Sequence, residues 1–191
     1  MSQRSHRRSI RLPGYDYTQP GAYFITICCH ERREIFGEIV AGEMQLNTCG
    51  RIAYQEWERL PSRFRSLRLG AFVIMPNHVH GILIITDDHA GRGTAASEED
   101  SNPSSTRRAP TREGFGQPVP GSIPTILRSY KSAVTLRVNR LRDGPNHPVW
   151  QRNYYEHVIR NDGEHERIHE YILGNPRHWD EDRENPIRRL K

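Results

Sequence analysis

Two short apolar runs around a proline–asparagine break constrain the fold of this chain more than any other feature. The first run spans residues 67–75 and the second spans residues 78–86, with Pro76 and Asn77 between them. Each run has the length of a strand and falls far short of the roughly 20 apolar residues that a membrane span needs. Two such runs around a tight turn are typical of an antiparallel pair, and we expect this pair to lie in the centre of a sheet.

The other periodic segments predict an α+β domain. Strands are expected at residues 22–28, 37–40 and 44–46, and one interrupted strand is expected at 149–159. Helices are expected at 47–60, 122–141 and 161–173, with Pro61 ending the first and Gly174 ending the last. The resulting order, βββ-α-ββ-α-β-α, predicts an α+β sandwich with an antiparallel sheet.

The length of 191 residues suits one domain with additional segments. We expect a basic arm at 1–14, a domain at 15–180 with a flexible insertion at about 88–121, and a tail at 181–191. The arm contains Arg7, Arg8 and Arg11 and no acidic residue, so it is interpreted either as a phosphate-binding segment or as a solubilising tail. It lacks the apolar core of a signal peptide, which favours a cytoplasmic protein.

Arginine dominates the positive charge. The 28 Lys and Arg residues exceed the 23 Asp and Glu residues, giving a net charge of +5, and only Lys131 and Lys191 are lysines. Guanidinium groups bind phosphates and base edges, which favours a nucleic-acid partner, although a GC-rich genome also enriches arginine. The three cysteines have no zinc-like spacing, and we expect them to be reduced.

The helix expected at 122–141 has cations opposite its apolar stripe. These cations are Arg128, Lys131, Arg137 and Arg140. They form a candidate nucleic-acid surface, but a helix face that is simply solvated is at least as common.

His78 and His80 flank a single residue at the start of the second apolar run. Alternate residues of a strand point to the same side, so both imidazoles can converge on one metal ion. Because the chain contains 10 histidines, a chance pair of this kind is common, and two histidines without a ligand remain an alternative.

Tyr171 and Asn175 lie four residues apart at the end of the last expected helix. If the helical turn persists through Gly174, the phenol and the amide emerge on the same side. A core tyrosine followed by a helix cap is the competing interpretation. Tyr154 and Tyr155 are rival nucleophiles, but we interpret them as packing or base-stacking residues, one facing the core and one facing away.

Three ordered motifs together carry a family resemblance. MPNHVHGIL, WQRNYYEHVIRN and HEYILGNP resemble the single-tyrosine HUH transposases, and within them the REP-associated tyrosine transposases, over about residues 12–180. The resemblance implies a ferredoxin-like two-layer sandwich with a central antiparallel sheet. It also implies Mg²⁺ or Mn²⁺ bound by His78, His80 and Asn175, with Tyr171 as the nucleophile.

The implied activity is cleavage and rejoining of single-stranded DNA, with hairpin or palindromic repeats as substrate and a 5′-phosphotyrosine intermediate. Both a monomer and a homodimer suit the sequence. A hairpin-binding regulator without catalysis is an alternative. A zinc hydrolase built on the histidine pair is a third hypothesis, for which the sequence shows no carboxylate partner at a matching spacing.

Overall fold

The computed structural model describes residues 15–87, 119–142 and 147–186. The basic arm with Arg7, Arg8 and Arg11, and residues 88–118 of the expected insertion, lie outside these described residues. Within them the strands are β1 (Gly21–Cys28), β2 (Gly37–Val40), β3 (Glu43–Leu46), β4 (Leu67–Ile74), β5 (His78–Ile85) and β6 (Tyr155–Ile159). The helices are α1 (Thr48–Glu58), α2 (Leu60–Arg63), α3 (Ile123–Leu141) and α4 (Asp162–Gly174), with 3-10 helices at His30–Arg32 and Asn175–Glu181.

Four strands form one antiparallel sheet in the order β4-β5-β1-β6, and β2 and β3 form a separate hairpin. The α+β class with a central antiparallel sheet is therefore confirmed. The expectation that both apolar strands are central is wrong for β4, because β5 has partners on both sides whereas β4 pairs only with β5 and forms an edge. The segment expected as one interrupted strand contains β6 and an isolated bridge between Trp150 and Cys29.

Successive side chains of β5 point to opposite faces of the sheet, which places the apolar core on one face and the histidine pair on the other. Val79 and Leu83 pair with Ile27 and Tyr23 of β1, and all four side chains are buried in the apolar core. The core face is covered by α1 and α3, whose residues belong to the same apolar cluster. His78 and His80 are one residue out of step with Val79, so they lie on the opposite face of the sheet.

Gly81 allows α1 to approach the core face closely. A Cβ atom at this position would lie 2.4 Å from Cζ2 of Trp57 on α1. Trp57 is fully buried and its ring packs edge-on against Tyr130 of α3, with ring centroids 5.1 Å apart. The close contact therefore fixes the position of β5 beside the helical layer, one residue from His80.

Side-chain caps begin the three long helices. Asn47 accepts a hydrogen bond from the Gly50 amide at 3.0 Å, and Asn161 accepts one from the Glu164 amide at 2.9 Å. Ser122 accepts one from the Thr125 amide at 3.4 Å. These side chains satisfy backbone N–H groups that have no partner within the first helical turn.

Pro61 does not end the first helix. That helix ends at Glu58, and Pro61 lies in the first turn of α2. A proline is tolerated there because the first turn needs no backbone N–H donor.

Gly174 does not stop the last helix either. Its φ of −78° is helical, and the chain continues directly into the 3-10 helix Asn175–Glu181, with Pro176 in its first turn. Beyond this helix Asp182 and Asn185 are buried, so the packed part of the chain extends past residue 180, where a tail was expected. No helix in the described ranges is long and apolar enough to cross a bilayer.

Candidate active site and metal centre

Two buried imidazoles form the floor of the candidate site. His78 is 0% exposed and His80 is 3% exposed, and their ring centroids are 4.4 Å apart. Both side chains project from the start of β5, next to the turn from β4, on the face opposite the core. The structure thus brings together the two histidines that the sequence pattern placed on one side of a strand.

Asn77 determines the protonation pattern of His78. The Asn77 Nδ2 group donates to the carbonyl oxygens of Glu184 at 2.8 Å and of Arg32 at 3.2 Å. The Asn77 Oδ1 atom must therefore face His78 Nδ1, which lies 2.8 Å away. An amide oxygen only accepts, so Nδ1 of His78 carries the proton and Nε2 keeps its lone pair.

His80 is held between a threonine and a tyrosine. Its Nδ1 atom lies 2.8 Å from Oγ1 of Thr26, the residue opposite it on β1, and its Nε2 atom lies 3.3 Å from the hydroxyl of Tyr171 on α4. Phe24 stacks on the imidazole with ring centroids 5.4 Å apart. These contacts fix the ring in an orientation that presents Nε2 to the tyrosine.

Burial keeps both imidazoles neutral. Burial, with the neighbouring His80 and Arg32, holds the pKa of His78 well below its usual range. Burial lowers the pKa of His80 to about 4, against the opposing influence of Asp182. Neutral imidazoles with free lone pairs are the form that binds metal ions.

Asp182 and Asn175 complete a group of donors around the histidines. The ligand atoms of His78, His80 and Asp182 all lie within 4.8 Å of one another, and all three residues are buried. The Asn175 Nδ2 group donates to Oδ2 of Asp182 at 3.0 Å, and that oxygen lies 3.9 Å from Nε2 of His78. Both residues come from the 3-10 helix that continues α4 and from its end.

These residues fit a divalent cation. Two buried acceptor atoms of this donor group, Nε2 of His78 and Oδ1 of Asn175, have no hydrogen-bond partner among the described residues. An unpaired buried acceptor costs about 1–3 kcal/mol, and a cation would satisfy both atoms while neutralising the Asp182 carboxylate. Nitrogen and oxygen donors in this combination suit several divalent ions, including Mn²⁺, Mg²⁺ and Zn²⁺.

Tyr171 stands at the edge of this donor group and remains accessible. Its side chain is 49% exposed, and its ring packs edge-on against Phe24 with centroids 6.1 Å apart. Burial of part of the ring and the charge of Asp182 raise the pKa of Tyr171, although Asn175 and Arg183 act to lower it. The phenol is therefore protonated at neutral pH and must lose its proton during any nucleophilic attack.

The two rival tyrosines lie on opposite sides of the sheet. Tyr154 packs against the apolar core, whereas Tyr155 of β6 pairs with Thr26 and so lies on the face that carries His80. Tyr155 is 41% exposed and contacts Phe24 with ring centroids 6.2 Å apart. Phe24 lies between Tyr155 and Tyr171, so Tyr155 is one side chain removed from the donor group.

The cations of α3 do not reach this site. Helix α3 covers the core face, on the other side of the sheet from His80. Lys131 donates to the backbone carbonyls of Gln151 and Arg152, and burial lowers its pKa to about 8. Arg137 donates to the buried Glu56 carboxylate at 2.8 Å. Arg128 remains exposed on the same helix.

Asn77 and Asp182 are site residues that the sequence reasoning missed. Asn77 was interpreted only as part of a turn, and Asp182 was placed in a tail. Helical periodicity gives no signal for Asp182, because the segment that begins at Asn175 is a 3-10 helix, in which seven residues do not complete a whole number of turns. The fold brings its carboxylate beside His78 and His80.

Two comparisons place this arrangement among known proteins. A Haemophilus influenzae protein that carries the name uncharacterized protein is 40% identical over 177 residues, which span 93% of this chain and 92% of that protein. This chain belongs to the same family. No protein-family model matches the sequence.

The second comparison concerns the fold. A REP-associated tyrosine transposase, whose structure contains a bound REP hairpin, matches with a TM-score of 0.54 and 17% identity, over 87% of this chain and 72% of that one. The chain has the fold of a REP-associated tyrosine transposase. A Deinococcus radiodurans protein provisionally described as a transposase gives a TM-score of 0.43 at 17% identity, over 85% of this chain and 96% of that one.

Proposed function

We propose that the protein is a metal-dependent, transposase-like enzyme that cuts and rejoins single-stranded DNA through a covalent bond to Tyr171. The observation that carries this proposal is the 3.3 Å separation between the Tyr171 hydroxyl and Nε2 of His80, at the edge of a buried His–His–Asp group. A half-exposed nucleophile beside a buried cation site is the arrangement that phosphoryl transfer requires. The shared fold with a REP-associated tyrosine transposase supports the same reaction class.

In the proposed reaction the Tyr171 oxygen attacks the phosphorus of a phosphodiester. The bond between phosphorus and the 3′ oxygen breaks, the 3′ oxygen takes up a proton, and a 5′-phosphotyrosine forms. The phenol proton is released to solvent, to which the exposed half of Tyr171 has access. Because the phosphoester bond is retained, the 3′-hydroxyl can attack it and restore the strand without an external energy source.

His78 and His80 are the proposed nitrogen ligands, with Asn175 and Asp182 as oxygen donors. A bound divalent cation, Mg²⁺ or Mn²⁺, would polarise the scissile phosphate and stabilise the charge of the transition state. Asn77 holds His78 in the tautomer that keeps its Nε2 free, and Thr26 fixes the orientation of the His80 ring through Nδ1. Helix α4 holds Tyr171 and, through its continuation past Gly174, also positions Asn175 and Asp182.

The proposed substrate is single-stranded DNA in or beside a hairpin. An in-line attack by a phenol needs an exposed phosphodiester, which stacked duplex DNA does not offer. A hairpin provides a paired segment for binding and an unpaired segment for cleavage. Arg7, Arg8 and Arg11 of the basic arm, which lies outside the described residues, and the exposed Arg128 are proposed as backbone contacts.

Asp182 also favours a second candidate function. The zinc hydrolase hypothesis lacked a carboxylate partner in the sequence, and Asp182 supplies one beside His78 and His80. A hydrolase would use an activated water and would leave no protein–DNA bond. A hairpin-binding regulator would bind DNA without cleaving it under any divalent ion.

One gel experiment tests these functions. The purified protein is incubated with a labelled DNA hairpin carrying a single-stranded flank, in Mg²⁺ or Mn²⁺, and denatured in SDS. We expect a labelled protein band that Tyr171→Phe abolishes and His78→Ala strongly reduces. Tyr155→Phe is the matched control, because Tyr155 lies on the same sheet face with similar exposure, and it should keep the band. A band that survives Tyr171→Phe, or cleavage with no covalent band, contradicts the proposal.

A further inference from the structure

Two arginines outside every motif line the cleft next to Tyr171. The cleft has a volume of about 870 Å³, and its lining includes Arg167, Tyr171, Asn175 and Arg183. All of its lining residues belong to α4, to the 3-10 helix that follows, or to residues 182 and 183. Because Tyr171 is part of this lining, a phosphate bound at its hydroxyl would lie at the wall of the cleft.

Helix geometry places Arg167 on the same side of α4 as Tyr171. Arg167, Tyr171 and Asn175 follow one another at intervals of four residues, and the helical path is continuous from Asp162 through Asn175. Residues at this spacing lie on one side of a helix, about one turn apart. Arg167 is therefore about 6 Å along the helix from the nucleophile, comparable to the separation of adjacent phosphates in a single strand.

Arg183 lines the same cleft from the segment that follows the 3-10 helix. It follows Asp182 directly, and its positive charge acts to lower the pKa of the Tyr171 phenol. Both Arg167 and Arg183 are exposed, and neither makes an ion pair or a side-chain hydrogen bond with another residue of the described ranges. In contrast, Lys131 and Arg137 of α3 are already bonded to protein oxygens on the far side of the sheet.

We propose that Arg167 and Arg183 bind the phosphates that flank the scissile phosphate in single-stranded DNA. This inference rests on the function proposed above and names the contacts that align its substrate. Glu170 and Glu181 also line the cleft, so it is not a uniformly basic groove. The phosphates are held by two particular guanidinium groups, whose forked N–H donors match phosphate oxygens.

The salt dependence of binding tests the proposal. Arg167→Gln, Arg183→Gln and the double variant are made in a Tyr171→Phe background, which prevents covalent capture. Their affinity for a labelled DNA hairpin with a single-stranded flank is measured in Mg²⁺ over a range of salt concentrations. Each substitution should weaken binding about tenfold and reduce the slope of log affinity against log salt by about 0.7. Arg65→Gln is the matched control, since Arg65 is an exposed arginine between α2 and β4 and does not line the cleft.

Each outcome separates this inference from the proposed function. If the double variant binds with the affinity and slope of its parent, or if Arg65→Gln causes an equal loss, the assignment of Arg167 and Arg183 is wrong while the DNA function stands. If the parent binds neither single-stranded nor hairpin DNA, the proposed function fails together with the inference. Circular dichroism and thermal unfolding should be unchanged in all variants, because the substituted side chains are exposed.

Discussion

The Oδ1 atom of Asn77 lies 2.8 Å from Nδ1 of the adjacent His78. Two carbonyl oxygens hold the Asn77 amide nitrogen in the opposite direction, so the orientation of the amide is determined by its acceptors. Asn77, which lies in the turn between β4 and β5, thereby fixes the proton on Nδ1 of His78. The other ring nitrogen, Nε2, is buried, and its lone pair accepts no hydrogen bond from the described residues.

Asn77→Ala should therefore weaken cation binding. Loss of a partner that orients a metal-binding histidine typically reduces metal affinity about 10- to 100-fold. Isothermal titration with Mn²⁺ measures this without DNA or turnover. Asn77→Asp keeps an acceptor for His78 and should retain more of the affinity, although it loses the donors to Arg32 and Glu184. Equal affinities for Asn77→Ala and the unaltered protein would show that the tautomer is set by other groups.

Asp182→Asn should also reduce affinity for Mn²⁺. The substitution preserves the size of the side chain but removes the only charged oxygen of the His78–His80–Asp182 group. We expect a loss of at least about tenfold, because charged oxygen donors bind hard cations more strongly than amides do. Asn175→Ala provides the comparison. If it abolishes binding while Asp182→Asn does not change it, Asn175 is the oxygen ligand and Asp182 only orients its amide through their 3.0 Å hydrogen bond.

Glu56→Gln should destabilise the helical layer in a manner that depends on pH. Burial tends to raise the pKa of Glu56, but hydrogen bonds from Arg63 and Arg137 outweigh it and lower the pKa below its usual value of 4.5. A carboxyl group whose pKa is lowered in the folded state contributes stability above its unfolded pKa and loses that contribution as the pH falls through the folded pKa. At pH 7 the substitution should cost about 1–3 kcal/mol of unfolding free energy.

Urea unfolding at pH 7 and at about pH 3 measures this difference. The gap between Glu56→Gln and the unaltered protein should narrow at the lower pH, where the native carboxyl begins to protonate. Glu58→Gln on the same helix is exposed and should change the unfolding free energy by less than about 0.5 kcal/mol. A gap of equal size at both values of pH would mean that the ion pairs of Glu56 contribute little to stability.

Gly81→Ala should destabilise the sheet at its contact with α1. The added methyl group would lie 2.4 Å from Trp57, a buried ring confined between Tyr130 and Phe72. Overpacking of this kind costs about 1–3 kcal/mol. Gly163→Ala in the first turn of α4 meets nothing closer than 3.6 Å and should be neutral or slightly stabilising. Thermal unfolding of both variants checks the contrast, and equal melting temperatures would contradict it.

The histidine pair and the nucleophile candidate could be located from sequence because both depend on local periodicity. Residues 78 and 80 share a sheet face whatever the rest of the chain does, and residues 171 and 175 share a helix side once the helix continues. The strands and the antiparallel α+β class followed from sequence patterns in the same way, but the number of strands in the main sheet did not. The edge position of β4 did not, since the order of strands depends on contacts between distant segments.

The roles of Lys131, Arg137 and Asp182 could not be assigned from sequence, because they also depend on contacts between distant segments. Lys131 and Arg137 look like free charges on a helix, and only the fold shows that loop carbonyls and the Glu56 carboxylate occupy them. Asp182 lies more than 100 residues from His78. It follows Gly174 and Pro176, residues that usually end a helix, although here the helical path continues through both. Long-range pairing of polar groups has no periodic signature, so it emerges only from the packed structure.

Along strand β5, residues of the apolar core alternate with residues of the candidate site. Its odd-numbered residues, Val79 and Leu83, belong to the apolar core, while the even-numbered His78 and His80 lie on the opposite face, beside Asp182. A slip of one residue against β1 would exchange these roles, burying imidazoles beneath α1 and exposing valine and leucine to the nucleophile. Correct pairing of β1 with β5 is thus required both for the core and for the candidate cation site, and a chain that paired these strands out of step would lack the two together.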